Sequence, residues 1–274
     1  MNYGFDLIKE LSSQDGTEWS LGSVLTDIAQ IPEGERLLYL PTGERQNLGE
    51  EKSDCVTRAI LNILETKFNW LIKQKKLSFE NEKWLRENGY VNDGVTFSDR
   101  WIALLSGTTR SGNSFKAPLD AVRKNGLIPK PLFPQVFAFD EYYDPSKITD
   151  KMKEIAEGFK QRFYVNYEKA YEKEYPKALK HDMIMVGGFA WPEPTNGIYP
   201  RTERDPNHAF MVIKTPKYEV FDNYTDFSGG FLKKLSPDYD LLDYGYTLKI
   251  NREQIIKRPQ RTYWWFDVWN KLTT

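Results

Sequence analysis

The sequence predicts an α+β protein with a helical first half and a strand-rich second half. An amphipathic helical pattern near the start supports this class, as do later strand-type runs bounded by Gly, Pro and Asn. The composition, 40% hydrophobic and 28% charged, is that of an ordered globular chain. Because helices and strands are segregated along the chain, the 274 residues are expected to form two lobes that share one cleft.

The clearest predicted element is a helix from Cys55 to Gln74. Either Ser53 or Asp54 could accept hydrogen bonds from the free N–H groups of its first turn. Its apolar residues recur at three- and four-residue intervals and form one wide stripe, namely Val56, Ile60, Ile63, Leu64, Phe68, Leu71 and Ile72.

The other elements are shorter or less regular. A strand-like run covers Arg36–Leu40, and helices are predicted at Phe97–Leu105 and Ala117–Lys124, with a Gly-rich loop between the two helices. A charged helical stretch is expected over 145–179. Four strands are predicted in the second half, namely Met183–Phe189, His208–Lys214, Tyr218–Asp222 and Asp243–Ile250.

Charge and hydropathy exclude several classes of function. The net charge is −1, so no overall field favours nucleic acid or an anionic membrane. No long apolar run predicts a membrane span, and the first residues lack the basic and apolar regions of a secretion signal. The chain is therefore expected to be soluble and made in a cytosol, without a nucleic-acid or membrane partner.

The chain has one cysteine, Cys55, and two histidines, His181 and His208. These three side chains cannot form an intrachain disulfide or a cysteine-based zinc site. Cys55 falls in the first turn of the long helix, where free N–H groups and the helix dipole lower a thiol pKa and favour the nucleophilic thiolate. The alternative is a small buried core residue.

His208 opens a predicted strand, where its ring can face a cleft and exchange a proton with a thiol. A structural, hydrogen-bonded histidine is the alternative. His181 lies in a polar junction and is interpreted as a surface residue. Asp222 and Asn223 end the next strand, and either could orient an imidazole, although such residues are more often turn formers.

The order of these residues resembles that of papain-like cysteine peptidases, in particular a divergent type found in phage and metagenomic sequences. The resemblance covers about residues 36–250. Four short motifs carry it: Gln46 ahead of Cys55, Phe97-Ser98-Asp99-Arg100 at a helix start, Arg123–Pro129, and His208-Ala209 with Asp222-Asn223-Tyr224. The segment Lys52–Val56 departs from the family's Cys-Gly-Ser-Cys-Trp, and the family's disulfides are absent.

The resemblance implies a role for each matched residue. Cys55 would be the nucleophile, His208 the proton acceptor and donor, and Asp222 the orienting residue, with Asn223 as its alternative. The Gln46 side chain would help to form the oxyanion hole, with Asn47 as the fallback. The remaining candidates would contact substrate, namely Gly112 and Asn113 along its backbone and Trp191 as a wall of the cleft.

The resemblance also predicts a domain division. Residues 36–274 would form the peptidase domain, with a helical lobe at about 46–140, a helical insertion at about 145–180 and a β lobe at about 181–274. Residues 1–35 are favoured as an integral arm; a short propeptide or a plug in the cleft are the alternatives. The aromatic tail, 261–274, is expected to dock as a final strand or helix, or to form a protein-contact patch.

The function expected from the resemblance is hydrolysis of a polypeptide substrate through a thioester, without a metal or cofactor, in a phage-encoded protein of the host cytoplasm or virion. One alternative is the same fold used as a virion or binding protein with little activity, in contact with other virion proteins. Another is a Cys-His amidase or acyltransferase that acts on peptidoglycan-type amides. A glycosidase comes last, because no pair of carboxylates is distinguished by its context.

Overall fold

The computed structural model describes residues 4–13, 20–22, 27–215, 217–225 and 230–251. The predicted α+β class is confirmed, since helices dominate as far as residue 162 and strands follow. The α-helices are α1 Leu7–Ser13, α2 Cys55–Lys73, α3 Phe79–Glu87, α4 Asp99–Leu105, α5 Lys116–Asn125, α6 Phe139–Tyr142, α7 Asp150–Arg162 and α8 Tyr175–Ala178. The strands are β1 Tyr164–Tyr171, β2 Ile184–Gly188, β3 Ile198–Tyr199, β4 His208–Lys214, β5 Glu219–Phe221, β6 Leu232–Leu235 and β7 Leu241–Asn251.

The strands form one sheet in the order β1-β7-β2-β4-β5-β6-β3. All neighbours are antiparallel except β3 and β6. In the centre, β2 and β4 pair so that Gly188 lies opposite His208. The register thus places His208 at the start of β4, a central strand that packs against α2.

Two sequence predictions of secondary structure are wrong. Arg36–Leu40 is not a strand, because Glu33–Leu38 forms a 3₁₀ helix around the buried Arg36, which donates to the carbonyls of Ile31, Leu179 and Ile213. The stretch 145–179 is not one charged helix, because α7 ends at Arg162 and β1 follows it. Pairing with β7 along the whole of β1 outweighs the helical propensity of its Lys and Glu residues. The tail 261–274 lies outside the described residues.

α2 is buried on nearly all of its faces, although the sequence shows only one apolar stripe. It lies between the other helices and the sheet, in contact with α4, α5, β2 and β4. Its polar side chains are therefore buried with partners, as buried charges must be: Lys67 pairs with Asp27 at 2.7 Å and with Asp182 at 3.0 Å. α2 is thus the central element that carries Cys55.

Glu65, also on α2, gives a test of this packing. Its carboxyl oxygen Oε1 accepts a hydrogen bond from the Phe97 backbone N–H at 2.8 Å, and burial raises its pKa to about 8, so the carboxyl group is protonated at neutral pH. The folded protein therefore binds this proton more tightly than the unfolded chain, and stability is lost as the pH rises from about 4.5 through 8. Glu65→Gln should therefore be more stable than the parent at pH 9, by on the order of 1 kcal/mol or more, and the difference should shrink at pH 5.

Urea unfolding at both pH values measures this difference. Glu87→Gln, in which an exposed carboxylate of α3 is replaced, is the matched control and should show no such pH dependence. A Glu65→Gln protein that is less stable than the parent at pH 9 would contradict the assignment of a protonated Glu65.

No helix within the described ranges is both long and apolar enough to cross a membrane.

Candidate functional site

Cys55 is the first residue of α2 and its side chain is buried, with 1% of its surface exposed. It faces β4, where a hydrogen bond from the backbone of Ala209 acts to lower the thiol pKa. Ala209 follows His208 directly, so the sulfur lies beside the strand that begins with the histidine. The packing of α2 on β4 thus places Cys55 and His208, which are 153 positions apart in the sequence, on neighbouring elements.

The pKa of the Cys55 thiol is raised well above its ordinary value, contrary to the expectation from the helix N-terminus. Burial is the largest cause, and the negative charges of Asp54, Glu51 and Asp222 add to it. Desolvation of a thiolate outweighs the attraction of the first-turn N–H groups when water is excluded. A buried Cys55 thiol is therefore expected to stay protonated at neutral pH.

Asp54 occupies the position before the helix but does not cap it with its side chain. Instead, its carboxylate accepts from Arg58 Nε at 2.9 Å and from the Tyr142 hydroxyl at 2.6 Å. Arg58 also pairs with Asp99 at 2.5 Å, which ties the start of α2 to the start of α4. This buried network fixes the end of α2 that carries Cys55.

His208 is fully buried, and its Nε2 lies 2.6 Å from Oδ1 of Asp222. Trp191 Nε1 donates to the other carboxylate oxygen at 2.8 Å, and Lys233 Nζ lies 3.3 Å from that same oxygen. Burial acts to raise the pKa of Asp222, but the attraction and hydrogen bond of His208, together with Lys233 and Trp191, lower it to about 2. Asp222 is therefore a carboxylate that holds the imidazole with a proton on Nε2.

Asn223, the alternative orienting residue, lies in a different set of contacts. Its side chain accepts from Asn62 at 2.7 Å and donates to the Glu44 carbonyl at 2.8 Å. The ring of Tyr224 instead packs edge-on against His208, with centroids 5.2 Å apart. Residues adjacent in an extended segment point in opposite directions, which explains why Asp222 contacts His208 and Asn223 does not.

Gln46 is buried close to the start of α2, whereas Asn47 is exposed. Gln46 Nε2 donates to Oε1 of Glu51 at 2.7 Å, and the Ser53 backbone N–H donates to that oxygen at 2.8 Å. The hydroxyl of Tyr224 donates to the second oxygen of Glu51. Glu51 thus joins the glutamine to the chain just before Cys55.

Glu51 and Lys233 are site residues that the sequence analysis missed. Glu51 was indistinguishable from its neighbour Glu50, and Lys233 lies in an alternating strand, where its burial depends on the register of β6. No local pattern marks either residue. His181 is exposed, as predicted.

The first described residues, Gly4–Asp6, run through the cleft next to Cys55. The Phe5 N–H donates to the carbonyl of Asn207 at 3.3 Å, on the sheet side. On the helical side, the Asn113 N–H donates to the Gly4 carbonyl at 3.0 Å, and the Asp6 N–H donates to the Asn113 carbonyl at 3.1 Å. An extended chain segment is therefore held by backbone hydrogen bonds to both walls.

Close packing accompanies these hydrogen bonds. A Cβ atom added to Gly4, which has a φ of 103°, would lie 2.4 Å from the Ser53 carbonyl carbon. A Cβ atom on Gly112, which has a φ of 95°, would lie 2.1 Å from the Gly4 oxygen. Phe5 is 2% exposed and stacks on Phe115 with centroids 4.5 Å apart. Both glycines are needed where the segment touches the cleft walls.

The predicted substrate-contacting residues thus fall into two places. Gly112 and Asn113 line the cleft and contact the N-terminal segment. Trp191 lies beside the histidine, edge-on at 5.8 Å between centroids, and shields the His208–Asp222 hydrogen bond from solvent. Within the described part of the chain, no group of three or more His, Cys, Asp or Glu side chains is arranged to hold a metal ion.

Comparison with known proteins gives matches among solved structures. Xylellain, a cysteine protease from Xylella fastidiosa, has a TM-score of 0.56 at 13% identity, over 90% of this chain and 95% of its own. Procathepsin L 3 of the Tenebrio molitor larval midgut has a TM-score of 0.54 at 10% identity, over 90% and 76% of the two chains. For procathepsin B S9 from Trypanosoma congolense the values are 0.53, 12%, 90% and 86%.

No family model and no curated protein matches the sequence. At 10–13% identity the structural similarity establishes the fold, and the similarity extends over 90% of the chain in all three comparisons. The resemblance seen in the sequence and the two-part architecture agree with it. The chain therefore has the papain-like cysteine peptidase fold.

Proposed function

We propose that the protein is a cysteine peptidase that uses Cys55, His208 and Asp222. The observation that carries this proposal is the extended segment Gly4–Asp6, which lies beside Cys55 and bonds through its backbone to both walls of the cleft. A groove that holds one polypeptide by its main chain is suited to hold another, whatever its side chains. This favours a peptide substrate over the other amides considered from the sequence.

The chemistry follows from the hydrogen bonds of the site. With Nε2–H directed to Asp222, His208 Nδ1 takes the thiol proton. The sulfur then forms a bond to the peptide carbonyl carbon, and the carbonyl π electrons move to oxygen. When the tetrahedral intermediate collapses, the C–N bond breaks and the imidazolium proton goes to the leaving amine. Water attacks the thioester, and the released thiol recovers its proton.

Gln46 is assigned to stabilise the oxyanion together with the Cys55 backbone N–H. A primary amide carries two N–H bonds, and Glu51 uses one of them, which fixes the orientation of the other. Removal of one oxyanion donor typically costs about 10²–10³ in rate.

We assign Gly4–Asp6 to a closed state of this peptidase. Its contacts with Ser53, two residues before Cys55, and with Asn207, next to His208, would keep Cys55 buried, and burial raises the thiol pKa. Among the alternatives for residues 1–35, this favours a plug in the cleft. The phage or virion source stays a prediction from sequence resemblance.

The proposed function is tested by the substrate class. Purified protein is assayed with a library of quenched fluorescent peptides and with peptidoglycan fragments, alongside labelling of Cys55 by a thiol-directed epoxide. Peptide cleavage that is blocked by the epoxide is the expected result. Release of soluble fragments from peptidoglycan without peptide cleavage would reassign the protein as an amidase. A Cys55 that does not react with the epoxide would exclude both the peptidase and the amidase activity.

A further inference from the structure

A cavity of about 480 Å³ lies next to the His208–Asp222 pair. Trp191, which donates to Asp222, and Asn207, which precedes His208, both line it. Phe189 and Pro192 complete an apolar wall. The cavity therefore adjoins the reacting groups, although the N-terminal segment does not fill it.

Its position relative to that segment indicates which part of a substrate it would receive. Phe5 packs beside Gly187, whereas the cavity begins two residues further along, at Phe189. Gly4–Asp6 lies on the side of Ser53 and Asn113, where the acyl part of a substrate would remain attached to Cys55. The opposite side, past His208, receives the amine that leaves with the histidine's proton.

Two polar side chains of the cavity, Arg204 and Thr202, can donate hydrogen bonds. Arg204 is the only lining residue with a charged side chain, and its guanidinium carbon lies 5.0 Å from the Phe189 ring centroid. Within the described residues, this guanidinium makes no ion pair with a carboxylate. The Thr202 hydroxyl also lines the cavity and is buried without a hydrogen-bond partner in the described part of the chain.

Within the described residues, the cavity wall thus presents a buried hydroxyl without a hydrogen-bond partner and an exposed guanidinium without an ion pair, and this combination suits an anionic planar group. Guanidinium binds carboxylates through parallel N–H donors, which a planar carboxylate can accept with both oxygens. A cationic side chain in the same place would face Arg204 with like charge. An uncharged amide could accept from Thr202 and Arg204 but would lack the charge that strengthens the hydrogen bond to the guanidinium.

We propose that Arg204 and Thr202 select a carboxylate on the leaving side of the cleaved bond. This rests on the proposed peptidase function and adds a substrate class to it: peptides with an acidic residue directly after the scissile bond, or with their C-terminal carboxylate there. Arg204 is a specificity-determining residue and takes no part in bond cleavage.

The test compares matched substrates that share one acyl half. One has Glu after the scissile bond and an amidated C-terminus, the second has Gln and the same amide, and the third has a neutral residue and a free C-terminal carboxylate at that position. For the parent protein, kcat/KM for at least one acidic substrate should exceed that for the neutral amide by about tenfold, in proportion to one solvent-accessible charged hydrogen bond. Comparison of the first and third substrates identifies the source of the carboxylate.

Arg204→Gln should remove this preference, so that kcat/KM for the acidic and the neutral substrates becomes equal. Arg201→Gln is the matched control, because Arg201 pairs with Asp240 at 3.1 Å and does not line the cavity. The preference should also shrink in 0.5 M salt, since the charge of Arg204 is partly exposed.

Binding is measured in parallel by fluorescence anisotropy of the same peptides on Cys55→Ala protein, with and without Arg204→Gln. Tighter binding of the acidic peptides that depends on Arg204 supports the carboxylate site even if no peptide is cleaved, in which case the peptidase proposal alone fails. Equal binding and equal cleavage of acidic and neutral peptides would overturn the carboxylate site and leave the peptidase proposal intact.

Discussion

Cys55→Ser should abolish covalent labelling by a thiol-directed epoxide, and it should abolish peptide hydrolysis with it. His208→Ala should keep the thiol but lower the labelling rate by at least about 10²-fold, because general-base assistance typically contributes 10²–10⁴. The physical reason is the protonated state of Cys55: burial raises its pKa, so the thiolate forms only when a base accepts the proton. Mass spectrometry of the labelled peptide and initial rates of cleavage measure both effects.

His181→Ala is the matched control, since that histidine is exposed. It should label at the parental rate. The thermal unfolding midpoint of each variant shows whether it is folded. Hydrolysis that survives Cys55→Ser in a folded protein would contradict the assignment of Cys55 as nucleophile, and undiminished labelling of His208→Ala would contradict the role of His208.

Phe5→Asp should raise the rate at which Cys55 is labelled by about tenfold to a hundredfold. Burial of a Phe side chain is worth about 1.5–3 kcal/mol, and each 1.4 kcal/mol corresponds to a factor of ten in the population of the open cleft. A carboxylate in place of the ring that stacks on Phe115 would be buried without a partner, so the segment should leave the cleft. Labelling with excess iodoacetamide gives the rate.

Ile8→Asp is the control for this experiment. It introduces the same charge three residues later, at a side chain of α1 that is 83% exposed, and should leave labelling unchanged. Displacement of the segment should also lower the Cys55 pKa, since water re-enters the cleft, and thereby shift the rise of the labelling rate to lower pH. A Phe5→Asp protein that is folded and labels at the parental rate would show that Gly4–Asp6 does not control access to Cys55.

The larger elements of the fold were predictable from local pattern. The apolar periodicity of Cys55–Gln74 corresponds to α2, which ends one residue earlier, and the run His208–Lys214 is β4 with the predicted bounds. β1 was not predictable in this way, because the helical preference of its Lys, Glu and Ala residues competes with the strand preference of its Tyr and Val residues. It forms a strand because β7 pairs with all eight of its residues.

The residues of the candidate site were likewise predictable only in part from the sequence. Few side chains in this chain can act as nucleophile and base, so the composition alone directs attention to Cys55 and His208. The choice of Asp222 over Asn223 depended on strand alternation and on the resemblance, and the hydrogen bond of Asp222 to His208 agrees with it. Glu51 and Lys233 carry no local signal, since their importance arises only from what the fold places beside them.

The sequence by itself therefore determined the types of reactive side chain, the main helix and strand that carry them, and the two-part α+β architecture. Only the tertiary structure decided the state of the site: that Cys55 is buried with a raised pKa, that Gly4–Asp6 bonds to Asn207 and Asn113, and that Arg204 lines a cavity together with Trp191. The physical reason is that periodicity and residue type are local properties of the chain. Desolvation and contact depend on segments brought together from distant positions, and no local pattern encodes their distances.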